Sequence, residues 1–301
     1  MAVTVHSDKV RELVDAEGDV EQVATGFTFT EGPIWMPDGS LHFSDMPADK
    51  RRRWHPVEGV TVLRDPSNKC NGMTLDNDGN LIVCEHVTSS VVRESPGGGR
   101  ETIATHWGDK ELNSPNDVIV ANDGSIIFSD PTYGRLPGFG LEREQDLDFQ
   151  GVYRIPAGGG DLQLLVDDFA QPNGLCFSPD ESLLYINDTV RAHIRVFDVG
   201  PDHALSNGRV LADGIGTGDM STGELVDGMK IDERGNIYVT GPKGVWIIDP
   251  DGETLGVIQV PENVGNINWG DGDWKSLYIP ASTSVYRVRL KVAGNRLGYM
   301  H

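Results

Sequence analysis

The chain has 301 residues, with 46 acidic side chains against 25 basic ones and a formal charge of −21. A surface this acidic lacks the clustered Lys and Arg that phosphate backbones and anionic bilayers require, so neither nucleic acid nor membrane is expected as a partner. Apolar residues make up only 38% of the chain, and 37 glycines with 17 prolines imply many turns and few long helices. No run of about 18 apolar residues is present, and the N-terminal stretch is charged with no apolar signal core. Cys70, Cys84 and Cys176 are odd in number and lack CxxC spacing. They read as free, packed thiols of a reducing compartment, and the expected location is cytoplasmic.

In chain order, residues 7–16 predict one short N-terminal helix. A repeat then begins. Asp38-Gly39-Ser40-Leu41-His42-Phe43 is echoed by Asp78-Gly79-Asn80-Leu81-Ile82-Val83 and by Asp123-Gly124-Ser125-Ile126-Ile127-Phe128. Asp180-Glu181-Ser182-Leu183-Leu184-Tyr185, Arg234-Gly235-Asn236-Ile237-Tyr238-Val239 and the looser Asp273-Trp274-Lys275-Ser276-Leu277-Tyr278 complete it. Successive turns lie 39 to 57 residues apart. Each is preceded by a short apolar run such as Met73-Thr74-Leu75 or Val118-Ile119-Val120, and a turn between two such runs marks a hairpin. Further strands follow, among them Gly151-Val152-Tyr153-Arg154-Ile155 and Gly244-Val245-Trp246-Ile247-Ile248. The pattern predicts an all-β fold: a six-bladed β-propeller of mostly four-stranded blades, with residues 1–301 as a single domain.

Eight residues before the six turn positions stand Glu31, Asn71, Asn116, Asn173, Asp227 and Asn266. The first strand of a propeller blade is innermost, so equivalent positions converge near the axis. Six oxygen-bearing side chains gathered there need a guest, and a hard divalent cation is the natural one. An Asx-Gly pair at a strand start can also be a simple bend, but one phase shared by six copies, with a Glu among them, favours the ring. Six residues after the turns, Asp45, Glu85, Asp130 and Asn187, with neighbours His86, Tyr133 and Asp188, are expected to rim the same opening. Residues 131–150 form a long Gly-containing stretch that is read as a lid over it or as a surface loop. Lys50-Arg51-Arg52-Arg53 reads as a solvated strand edge, and the chain contains no GxSxG nucleophile elbow.

The stretches Thr30-Glu31-Gly32-Pro33-Ile34-Trp35, Ser114-Pro115-Asn116-Asp117-Val118 and Ser129-Asp130-Pro131-Thr132-Tyr133-Gly134 resemble those of the gluconolactonase family, which includes senescence marker protein 30 (regucalcin) and luciferin-regenerating enzymes. Gln171-Pro172-Asn173-Gly174-Leu175, Val226-Asp227-Gly228-Met229-Lys230-Ile231-Asp232 and Cys84-Glu85-His86 extend the resemblance over residues 21–289. It implies a six-bladed propeller with one divalent cation held by Glu31, Asn116, Asn173 and Asp227, with Asn71 beside them. Oxygen ligands favour Ca²⁺, and the family also admits Mg²⁺, Mn²⁺, Fe²⁺ or Zn²⁺. The implied activity is metal-dependent hydrolysis of a small, sugar-type lactone, with Asp227 as base or water-orienting group. Asn71, His86, Asp130, Tyr133 and Asn187 would contact the substrate. Ser114 stands where the regucalcin branch carries a sugar-holding Arg, so the preferred lactone is expected to differ or to be less polar. The same ligand quartet occurs in diisopropylfluorophosphatase, which leaves hydrolysis of other esters or organophosphates open, as well as a non-catalytic calcium-binding propeller. Oligomeric state is not legible.

Overall fold

All six turn positions of the repeat adopt the backbone conformation that the hairpin needs. Gly39, Gly79, Gly124 and Gly235 have φ between 78° and 89°, and the non-glycine equivalents Glu181 and Trp274 sit at 57° and 56°. The acidic residue ahead of the turn locks it. Asp38, Asp123 and Asp180 accept the backbone N–H two residues on, at 3.0, 2.7 and 3.1 Å. A computed structural model describes residues 3–296 and 298–300 of the chain.

Six antiparallel sheets follow from these hairpins. Their innermost strands are Thr30–Trp35, Cys70–Leu75, Val118–Val120, Pro172–Phe177, Met229–Ile231 and Asn268–Gly270. The sheets form a six-bladed β-propeller with four-stranded blades, the fifth enlarged by one strand. Both faces of a blade are covered by its neighbours, so its strands read as nearly continuous apolar runs, sorted by the two-residue period. Along Leu81–Glu85, Ile82 and Cys84 join a cluster with the third blade, whereas Leu81 and Val83 join one with the first. The core is therefore distributed between the blades rather than lying in one central mass. Cys70, Cys84 and Cys176 are free and buried within it.

The N-terminus departs from expectation. The helix expected over 7–16 is only a 3-10 helix at Asp8–Glu12, because Val3–Val5 just before it is drawn in as an outer strand on Thr254–Gln259 of the fifth blade. Glu21–Thr25 then pairs with Ser284–Arg289 and supplies the outermost strand of the sixth blade. The ring is thus closed by joining the two ends of the chain. A small hairpin, His106–Trp107 with Lys110–Glu111, lies outside the blades and was not foreseen. Among the described residues no helix is long and apolar enough to cross a membrane.

Neighbouring innermost strands approach at the polar ring. Gly72 N donates to Asn116 O at 2.8 Å, and Gly228 N donates to Gly265 O at 2.9 Å. A Cβ on Gly32 would lie 1.8 Å from Asn71 O, on Gly72 2.4 Å from Asn116 O, and on Gly174 2.4 Å from Asp227 O. At Gly72 and Gly174 the glycine is required by proximity, not by a left-handed turn. Gly174→Ala is expected to destabilise the protein by about 1–3 kcal/mol through overpacking against backbone that cannot yield. Denaturant unfolding measures this, and an unchanged midpoint would contradict the packing described.

Candidate active site

The ring positions open into a cavity of about 360 Å³. Glu31, Asn71, Asn116, Asn173 and Asp227 line it together with His86 and Tyr133. Asn266, the sixth ring residue, stays below the lining. It lies beside Gly228 and the Glu31 carboxyl, and its Oδ1 accepts from Ile267 N.

The amides are linked in one direction around the ring. Asn71 Nδ2 donates to Asn116 Oδ1, Asn116 Nδ2 to Asn173 Oδ1 at 2.6 Å, and Asn173 Nδ2 to Thr189 Oγ1 at 3.1 Å. Thr189 in turn donates to Val226 O. The amide carbonyl oxygens of Asn116 and Asn173 each retain acceptor capacity, since such an oxygen has two lone pairs. Asn71 Oδ1 is buried without a partner. His86 Nδ1 donates to Phe139 O at 2.9 Å, which leaves Nε2 as the lone-pair nitrogen, 3.4 Å from Asn71 Nδ2 and 3.2 Å from Asn116 Oδ1. Burial holds the His86 pKa below its usual value.

Three carboxyls crowd this floor. Burial, then the charge of Asp117, pushes Glu31 up to about 7, against the opposing pull of Gly32 N–H, Asn266 and Lys230. Asp227 is raised well above the ordinary carboxylate range by burial and then by Glu31 and Asp117. Lys230 Nζ is 3.8 Å from Asp117 and partly offsets the charge. Two carboxyls that resist ionising together, an orphaned amide oxygen and further amide carbonyls make a donor set that fits a hard divalent cation. Among the described residues that line the cavity no cysteine occurs and His86, the one imidazole, is turned toward the amides, so the donor set is that of a hard rather than a soft metal.

Asp130 and Asn187, expected to bind substrate, are not brought to the cavity. Both are fully buried. Asp130 accepts the N–H groups of Asn113 and Ser114 at 2.8 and 2.7 Å, and Asn187 Nδ2 donates to Asp227 O at 2.6 Å. The remaining rim residues are likewise occupied. Asp45 and Asp188 accept backbone N–H groups of the segments entering the first and fourth blades, and Glu85 is clasped by Arg100. Carboxylates at the ends of the second strands thus hold the chain as it enters the innermost strand, one layer behind the cavity.

The chain matches the family model described as SMP-30/gluconolactonase/LRE-like region over residues 29–283. It belongs to that family. It is 31% identical to the gluconolactonase of Zymomonas mobilis, over 97% of this chain and 87% of the relative. A solved gluconolactonase of Xanthomonas campestris is 30% identical with a TM-score of 0.88, covering 96% of this chain and 95% of that one. Regucalcin of Agrobacterium tumefaciens, a calcium-binding protein, superposes with a TM-score of 0.74 over 93% of this chain and 98% of that one. At 18% identity, that likeness is one of fold. The chain is a lactonase-type hydrolase of the SMP-30/gluconolactonase family.

In this family member Ser114 faces away from the cavity. Its hydroxyl donates to Pro131 O and accepts from Gly134 N, so it anchors the 131–149 loop. That loop covers part of the opening with Tyr133, Leu136 and Phe139. Arg135 and Arg143 tie it to Glu111, and Arg143 also reaches Ser89 Oγ at 2.6 Å. Sequence reasoning missed Asp117, Thr189, Asn263 and the residues of the 216–225 segment. Only Asp117 carried a signal, because it occupies the place taken by glycine after Glu31, Asn71, Asn173 and Asp227. Arg143→Ala is expected to release the loop, read as at least about tenfold faster cleavage within 131–149 under limited proteolysis, with the blades intact. An unchanged cleavage rate would show that the arginine is not the anchor.

Proposed function

We propose that the protein hydrolyses a small lactone, the class that includes the sugar lactones of its named relatives, to the hydroxy acid, with a divalent cation held by Glu31, Asn116, Asn173 and Asp227. The pairing of two buried, raised carboxyls with amide oxygens on the floor of one cavity carries this reading. When bound, the cation supplies Lewis acidity to the lactone carbonyl and favours the charge that develops on its oxygen. An all-oxygen donor set favours Ca²⁺, and the calcium binding named for regucalcin points the same way.

The chain's own groups do the rest. Asp227, which lines the cavity, takes the proton of the attacking water. The bond between the acyl carbon and the ring oxygen then breaks, and the ring oxygen leaves as a hydroxyl after receiving that proton. Asn71 Nδ2 and His86 Nε2 form a donor and acceptor pair beside the reacting group. Tyr133, whose buried hydroxyl lies beside Thr189 and Asn173, offers one further hydroxyl to the substrate. The three buried free thiols support a reducing, cytoplasmic setting.

Glu31→Ala and Asp227→Ala are each expected to lower acid release from a lactone at least about a thousandfold while thermal unfolding still reports a folded propeller. A chelator should abolish wild-type activity and added Ca²⁺ restore it; full turnover in chelated protein would overturn the mechanism. Because burial raises Glu31, up to about 7, and Asp227 as well, and the ionised forms are the ligands, Ca²⁺ uptake should release protons at neutral pH. The sign is fixed: below that pH the proton competes, and affinity falls by up to about tenfold per unit of acidification for each proton displaced. Calorimetry in buffers of differing ionisation heat measures both, and binding without proton release would refute the assignment of Glu31.

A further inference from the structure

We propose that the preferred lactone carries an apolar substituent, an alkyl or aryl group, and that the cavity wall rather than its floor selects it. The inference rests on the lactonase reading above and specifies its substrate class. The floor and the wall differ in chemistry. The charged lining residues are Glu31 and Asp227, both ring positions, and no Lys or Arg lines the cavity. Around them stand Phe29, Met46, Phe139, Met220, Leu225 and Val264. Phe29 and Phe139 meet edge to face at 6.1 Å and make a continuous aromatic wall.

The polar groups off the ring are few and mostly occupied. Thr189 accepts from Asn173 and donates to Val226 O. His86 is held by Phe139 O through Nδ1, and its Nε2 faces the ring amides of Asn71 and Asn116. The Tyr133 hydroxyl is buried beside Thr189 and Asn173, and the Asn263 amide stands at the exposed rim. A polyhydroxylated substrate needs a partner for each hydroxyl that it withdraws from water, and this wall, with Asn263, Tyr133 and His86 as its polar groups able to serve, supplies fewer than such a substrate needs. An alkyl chain loses nothing of that kind and gains from leaving water. The apolar surface also continues outward: Leu136, Phe139 and Met220 remain 42%, 37% and 46% exposed at the opening. A ring of exposed apolar residues at the entrance of a reactive cavity is what a partly buried hydrocarbon substituent would cover.

The test compares two six-membered lactones on Ca²⁺-loaded protein: δ-decalactone, with a pentyl substituent, and D-glucono-δ-lactone. The ratio of kcat/KM is expected to favour δ-decalactone by at least about tenfold. Phe139→Ser combined with Met220→Ser should reduce that ratio at least about tenfold, through KM rather than kcat. The Phe139 carbonyl that holds His86 is retained in this variant. Should the pair fail to fold, Met220→Ser alone, at an exposed position, should reduce the ratio about threefold. A preference for gluconolactone, or a ratio indifferent to these substitutions, overturns the inference and leaves the lactonase reading standing. Failure to hydrolyse either lactone at any Ca²⁺ concentration overturns both.

Discussion

The close approach of adjacent innermost strands governs this molecule. Most of the polar ring residues are brought to the axis because the glycine beside them packs on the next blade, at distances where Gly32, Gly72 and Gly174 leave no room for a Cβ. Four blades satisfy this with glycine directly after the polar residue. The sixth brings Gly265 against Glu31 from the other side. The same tightness brings Glu31 and Asp227 within range of each other and of Asp117, where burial already disfavours the charged forms of Glu31 and Asp227. Closing the ring and preparing the floor are therefore one event. A loosened ring would relax the carboxyls and with them the reason to take up a cation.

Behind this floor lies a second set of carboxylates with another duty. Asp45, Asp130 and Asp188 each accept main-chain N–H groups of the segment that leads into an innermost strand. Such hydrogen bonds are directional, and they are strengthened wherever the carboxyl is ionised. They fix where the ring residues point without facing the cavity themselves. Ser114 belongs to this supporting layer too, since its hydroxyl joins the third blade to the loop that roofs the opening. Chemistry and support are thus separated by one layer of side chains, although they alternate closely along the chain.

Most of the fold was legible in the amino-acid sequence because its determinants are local. A turn residue with positive φ and a short apolar strand on either side recur six times, with an acidic residue directly ahead of the turn in five of them, and even Glu181 and Trp274 were placed correctly by phase alone. The ring residues were legible for the same reason, being at a constant offset from those turns. Asp130 and Asn187 were misplaced because phase gives height along a blade but not whether a side chain faces the axis or the neighbouring backbone. The N-terminal strands were missed because nothing local distinguishes Glu21–Thr25 from any half-polar segment; its partner lies at the other end of the chain. The apolar wall escaped notice because Met220 and Leu225 lie between strands, outside the repeating unit, and Phe29 just ahead of one.

The pairing of Glu21–Thr25 with Ser284–Arg289 has a further consequence for how the protein is made. During synthesis the first of these segments emerges from the ribosome long before the second exists. Five blades can stack while the sixth waits for its outer edge, and through that interval both an unpaired strand edge and an open flank of the ring face solvent. Contacts of such sequence separation also slow folding, since chain entropy must be lost before they form. The vulnerable moment in the life of this protein is therefore its birth, when a chaperone that shields the open flank would matter more than any contact in the finished ring.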